Sequence, residues 1–247
     1  MAWGEDMFRV IMCSLLFVLF LSIQPVIAHD AWIEKQDGRL AVLYGHCGKH
    51  EPYDSTNVKE ARGFDENGKP LAVEIRHDKD GALLAPQGTP SLVTMFYDGG
   101  YYVRTPDGGK KMTRRNAEGK FPVLEALRSQ KCAKAFLAPG QAWSAIVGLP
   151  FEIVPEKDPF SLKPGDVLPM RILLDAKPIE GVTFKIGTAG HPDPKSLPKS
   201  DKDGKVSLVI PDAGLQVIAA AIKVPRKDDP DADVLSLCSS LSFEVRQ

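Results

Sequence analysis

Cysteine is scarce in this chain, four in 247 residues, which excludes a small fold held by a dense disulfide framework. An excess of charge of one sign is lacking too. Against 31 basic side chains stand 32 acidic ones, a net charge of −1, so nothing in the overall balance holds nucleic acid or an anionic bilayer. Apart from one run near the start, no apolar stretch approaches the roughly 20 residues that a spanning helix needs. There is no Gly-x-Ser-x-Gly elbow, no Cys-x-x-Cys, no His-Glu-x-x-His, no phosphate-cradling glycine loop and no internal repeat, and the aspartates of Asp228–Asp233 lack EF-hand spacing. What is present is 43% apolar and 26% charged residues with 21 Gly and 20 Pro. That is globular, turn-rich chemistry, neither disordered nor collagen-like.

The apolar run belongs to an export signal. Arg9 precedes Val10–Ile23, then come Gln24-Pro25 and Val26-Ile27-Ala28, with small or β-branched residues at −3 and −1 of a cut after Ala28. The expected product is soluble and periplasmic or secreted, and it starts at His29. Losing Met1–Ala28 removes Glu5, Asp6 and Arg9 and balances the charges. Three cysteines remain, Cys47, Cys132 and Cys238. In an oxidising compartment Cys132 with Cys238 is the expected disulfide, because the histidine neighbours of Cys47 point it to another use.

Short apolar runs alternate with turn dipeptides along the mature chain. Arg39–Tyr44, Leu71–Arg76, Leu92–Tyr97 and Tyr101–Arg104 read as strands, punctuated by Asp37-Gly38, Asn67-Gly68, Asp80-Gly81 and Asp107-Gly108. The spacing of Phe121, Leu124 and Leu127 predicts a short helix over 121–130, and Lys131–Leu137 fits helix or strand. Further strands are expected at Leu168–Leu174, Val182–Ile186, Val206–Ile210, Leu215–Ala221 and Leu241–Val245. Thr188–Asp203 and Pro225–Asp233 read as protruding loops. The fold class is all-β in two β-rich domains. A metal-binding domain spans 29–153, and an immunoglobulin- or transthyretin-like sandwich spans 154–247, with Val154–Pro164 as linker or first edge. The sandwich core is expected to include Met170, Ile172, Leu174, Val182, Phe184, Val206, Leu208, Ile210, Val217, Phe243 and Val245, with Leu173 and Val209 facing outward.

Histidine is concentrated where chemistry is expected. A mature chain opening on His29 carries two ligands on one residue, the α-amine and the imidazole, which close a chelate ring once the amine is free. Gly45 to Asp54 (GHCGKHEPYD) then places two histidines, a thiol and two carboxylates in one loop after a strand, and imidazole suits nickel, copper, zinc and iron alike. His29, His46, His50 and Cys47 are the candidate metal ligands. His77 and His191 read as surface residues, and Trp32, Tyr44, Tyr53 and Trp143 as core or rim aromatics. No catalytic or organic-cofactor residue is assigned.

The segments His29–Glu34 (HDAWIE), Gly45–Leu71, Ala133–Gly140, Val147–Phe184, Ser200–Ala220 and Ser239–Val245 resemble the exported nickel/cobalt-transport-associated proteins, a domain-of-unknown-function family that includes NikK-type periplasmic metal-binding components and partly carries a NikM label. The transmembrane sense of that label does not fit a chain whose only long apolar run is its signal. The resemblance implies a periplasmic β-rich protein that binds or delivers a transition metal, with His29 and His46 in the metal-binding pattern. Nickel or cobalt is the expected cargo, with copper or zinc as alternatives, and the expected partner is a metal-uptake transporter in the inner membrane. The rival readings are a copper carrier or copper oxidase using His29 as a two-nitrogen brace, and a structural or adhesion module with incidental histidines.

Overall fold

The computed structural model describes residues 29–46, 49–187 and 197–247. The signal reading over Met1–Ala28, and Cys47 and His191, lie outside those residues. β1 (Asp30–Gln36) and β2 (Arg39–His46) form a hairpin, and β3 (Lys49–His50) returns along β2. There follow β4 (Val58–Phe64), β5 (Pro70–Leu71), β6 (Val73–Asp78), β7 (Gly81–Pro86), the long β8 (Leu92–Thr105), β9 (Gly108–Lys110), one helical turn α1 (Arg114–Ala117) and β10 (Glu125–Phe136). The chain then makes β11 (Phe151–Pro155), β12 (Val167–Leu174), β13 (Lys177–Pro178), β14 (Thr183–Ile186), β15 (Lys205–Val209), β16 (Gly214–Pro225) and β17 (Val234–Val245). The all-β class expected from the turn spacing is what forms.

Three sheets stack in layers. The first has the order β1-β2-β7-β6, with β3 on β2. The central one runs β14-β16-β17-β10-β8-β4-β5, with β9 on β8. The third is β11-β12-β13, with β15 on β12. Alternation along the central strands divides the core in two. Cys132 and Phe136 of β10 and Leu237, Leu241 and Phe243 of β17 face the third sheet and pack with Phe151, Ile153, Met170, Ile172 and Leu208. Ala133 and Ala135 of β10 and Val93, Met95 and Tyr97 of β8 face the first sheet and pack with Ala31, Ile33, Leu40 and Val42. Burying both faces of one sheet is a sandwich carried to a third layer.

Several sequence expectations need correction. The segment from Phe121 contains no helix of the expected length. Glu125–Phe136 is β10, flanked by β8 and β17 in mid-sheet, and its ladder partners on both edges outweigh a weak 3.6-residue spacing. Cys132 and Cys238 are both buried free thiols. In the parallel β10–β17 ladder Cys132 is level with Ser239, and Cys238 with Lys131. That offset of one residue sends the two sulfurs to opposite faces of the sheet. Most of the expected sandwich core is buried as a single cluster, but Val217 packs on the other face with Trp32. Val209 is exposed as expected, whereas Leu173 is buried. The expected boundary at 153/154 falls inside β11, and strands from both sides of it share the central sheet. The segment Pro225–Asp233 is tied down, because Arg115 grips Asp231 with two 2.7 Å hydrogen bonds and Arg114 pairs with Asp233.

Candidate metal-binding edge

The hairpin register decides what His29 meets. Asp37 and Gly38, both with positive φ, make the two-residue turn that matches strand twist. They pair Gln36 with Arg39, and the ladder runs outward to Asp30 opposite Gly45. One rung further, His29 faces His46. The two rings stack with centroids 4.8 Å apart, and His29 stacks also on Tyr44 at 5.1 Å. Nε2 of His29 lies 3.1 Å from Oε2 of Glu51, whose N–H donates to the Tyr44 carbonyl. Two imidazoles and a carboxylate therefore share one partly exposed sheet edge.

Beneath this edge lies an aromatic floor. Tyr44 is 5.6 Å from Tyr53 and 5.7 Å from Tyr97, ring centroid to ring centroid. Tyr53 Oη donates to the Val42 carbonyl at 2.8 Å and accepts the Ala82 N–H at 2.9 Å, while Asn57 Nδ2 donates to Tyr97 Oη at 3.1 Å. Burial pushes the Tyr97 phenol up to about 12, and those of Tyr44 and Tyr53 also rise, chiefly through burial. All three stay neutral near pH 7. His46 is held below the usual histidine value, first by burial and then by His29 and Lys185. It is thus a neutral imidazole near pH 7, the protonation state that leaves a ring nitrogen free to coordinate.

The backbone here admits little change. Gly45 has φ +140°, and a Cβ on it would lie 2.5 Å from the Lys49 carbonyl oxygen and 3.1 Å from the His50 Cα. Only glycine lets β3 return this close.

On the other side of β1, Asp30 is 3% exposed. Its carboxylate receives Lys185 Nζ at 2.5 Å and the Cys238 thiol at 3.0 Å. Burial, with Asp30 adding to it, raises Cys238 well above the usual thiol value, so this sulfur is a protonated donor. Lys131, also 3% exposed, donates through Nζ to the His29 carbonyl and sits 5.3 Å from the Tyr44 ring centroid.

Of the expected ligands, His29 and His46 come together. His50 is exposed on β3 opposite Gly45, one rung out of step with His46, which pairs with Lys49. His77 Nδ1 lies 2.9 Å from the Ser55 carbonyl oxygen. Among the described residues no group of three or more His, Cys, Asp or Glu side chains is assembled to hold an ion, and no helix there is long and apolar enough to cross a membrane. Stacked rings face each other, whereas imidazole binds through in-plane nitrogens. Convergence on one ion therefore requires the partly exposed His29 ring to turn, and its α-amine to be free.

The sequence reading missed Glu51 as an individual ligand, and it missed Asp30, Lys131 and Lys185 altogether. Counting outward from Asp37-Gly38 pairs His29 with His46. Nothing local announces the lysines, which arrive from β10 and β14. A protein family described as a domain of unknown function (DUF4198) matches residues 26–224. No curated protein matches the chain.

Proposed function

The chain belongs to the DUF4198 family, a family without an assigned function, and from the histidine edge we propose that it is an exported, periplasmic transition-metal-binding accessory protein whose cargo is nickel or cobalt, passed to an uptake transporter in the inner membrane. The observation that carries the reading is the pairing of His29 with His46 at 4.8 Å, with Glu51 3.1 Å from His29. Nitrogen and carboxylate donors on one edge over a partly buried aromatic floor suit a borderline divalent ion. The resemblance of HDAWIE and the Gly45–Leu71 segment to nickel/cobalt-transport-associated proteins favours those two metals. Cleavage after Ala28 would add the His29 amine and complete a three-nitrogen set. Each donor binds only when deprotonated, so affinity falls as pH drops from about 8 to 5.

The test is metal analysis of protein exported with its own signal, followed by calorimetric titration of protein starting at His29 with Ni²⁺, Co²⁺, Cu²⁺ and Zn²⁺. In vitro Cu²⁺ will bind tightest whatever the cargo, so the metal recovered from cells identifies it. His46→Ala, and separately one glycine added before His29, should each weaken Ni²⁺ binding at least tenfold, about 1.4 kcal/mol, while His191→Ala should not. Unchanged binding in both altered proteins overturns the reading.

A further inference from the structure

The carbonyls of alternate residues from His29, just ahead of β1, to Ile33 are each met by a side chain of the central sheet. Lys131 Nζ of β10 donates to the His29 carbonyl, Ser240 Oγ of β17 to that of Ala31 at 2.6 Å, and Ser242 Oγ of β17 to that of Ile33 at 2.6 Å. Lys131, Ser240 and Ser242 are all buried. β1 is the outermost strand of its sheet, and an edge strand ordinarily leaves such groups to water or to another chain. Here they are saturated at a spacing of two, the period of the strand itself. Between the first two of these contacts the Asp30 side chain turns the other way, into Lys185 Nζ and the Cys238 thiol.

We propose that this row of donors, together with the Asp30–Lys185 pair, is a register-setting seat for the N-terminal strand, and that Lys131, Asp30 and Lys185 are positioning residues for His29. The inference rests on the metal-binding reading above and deepens it. Slipping β1 by one residue would put Asp30 where the His29 ring lies and send the imidazole to the opposite face. The hairpin alone fixes His29 against His46, but not against the central sheet that supplies Tyr97 of the aromatic floor. All of these contacts use the ring, the carbonyl or later atoms of His29–Ile33, so they seat the strand whether or not a peptide precedes His29. Exposed N-terminal residues are otherwise poorly ordered, and an unseated terminal chelate would lose affinity to the cost of ordering it.

The experiment uses the chain starting at His29, with Lys131→Met, Lys185→Met, Asp30→Asn and, as controls, Lys131→Arg and Lys185→Arg. Two signals are followed, Ni²⁺ affinity by calorimetry and the His29 ring-proton shift in metal-free protein, which reports stacking on Tyr44 and His46. Each loss variant should bind Ni²⁺ at least tenfold more weakly and move the His29 shift toward that of a free histidine. The arginine variants should recover both in part. Lys185→Met serves even if the more buried changes fail to fold, because Lys185 is 28% exposed at its side chain. If wild-type protein binds Ni²⁺ and folded Lys185→Met leaves both affinity and ring shift unchanged, the seat is wrong and the metal reading stands. If wild-type protein binds no metal but the ring shift still collapses in the variants, the seat stands and the metal reading fails.

Discussion

Lys134 and Glu152 meet with Nζ 2.6 Å from Oε1, each side chain 1% exposed. Lys134 also donates to the Ala145 carbonyl, and Glu152 accepts the N–H groups of Val147, Gly148 and Leu149. The pair thus closes the 145–149 loop against β10 from inside. Removing one partner of a buried pair leaves an uncompensated charge, costing about 3–5 kcal/mol. Lys134→Met should lower the urea midpoint accordingly. Glu152→Leu should lower it further, since three backbone donors lose their acceptor as well. An apolar double replacement, often neutral for an isolated pair, should not recover wild-type stability here, because those N–H groups remain unmet.

Gly45→Ala should damage the edge twice. The added methyl has no room beside the Lys49 carbonyl, and φ +140° is strained for alanine. We expect a loss of about 1–3 kcal/mol in denaturant melts, with weaker Ni²⁺ binding because β3 carries the chain to Glu51. Gly38→Ala, at φ +77° but with nothing within 4 Å of the added carbon, carries the backbone strain without the clash and should cost less stability than Gly45→Ala.

Acid should destabilise the protein partly through Asp98 and Asp233. Burial pushes both carboxyls up, but hydrogen bonds from Arg128 and the Gly100 N–H outweigh it at Asp98, and those from Arg114 and the Ala126 N–H outweigh it at Asp233. Both therefore sit below the usual carboxylate range when folded. A depressed folded value means that the unfolded chain binds more protons, so the stabilisation is present above about pH 4 and is lost as pH falls through the folded value. Melting temperatures of Asp98→Asn should start lower at pH 6 and fall less between pH 5 and pH 2.5 than those of wild type.

The two described thiols should stay apart under oxidising conditions. Burial pushes Cys132 up to about 12 and raises Cys238 as well, and a thiol held protonated reacts slowly. In a Cys47→Ser background beginning at His29, Ellman titration of native protein should find almost no reactive thiol, and two after unfolding in guanidinium. An intact mass two daltons short after mild oxidation of the folded protein would show a Cys132–Cys238 bridge and contradict the opposite-face assignment.

Much of this fold is written in short-range signals. Asp37-Gly38 between two alternating apolar runs gives the first hairpin and, rung by rung, the meeting of His29 with His46. Asp203-Gly204 and the alternation in Val206–Ile210 likewise find β15 to within one residue. What local sequence does not carry is partnership at a distance. β10 reads as a helix start because Phe121, Leu124 and Leu127 share a spacing, yet its ladder partners are β8 and β17, the latter about a hundred residues away. The same gap hid the positioning groups, since Lys131 and Lys185 look like ordinary surface lysines until the sheets are stacked. The disulfide expectation failed for a related reason. Composition says how many thiols there are, and only the register says which face each one takes.

Because Ser240 and Ser242 lie on the last strand, the seat of the first strand is finished by the final dozen residues of the chain. β17 also has to enter between β16 and β10, so the central layer stays split until the C-terminus is available. A polypeptide delivered from its N-terminus, off a ribosome or through a membrane channel, makes the histidine strand first and the surface that receives it last. If the edge captures metal as proposed, full affinity waits on β17, because until that strand is in place His29 lies on a β1 without its serine donors.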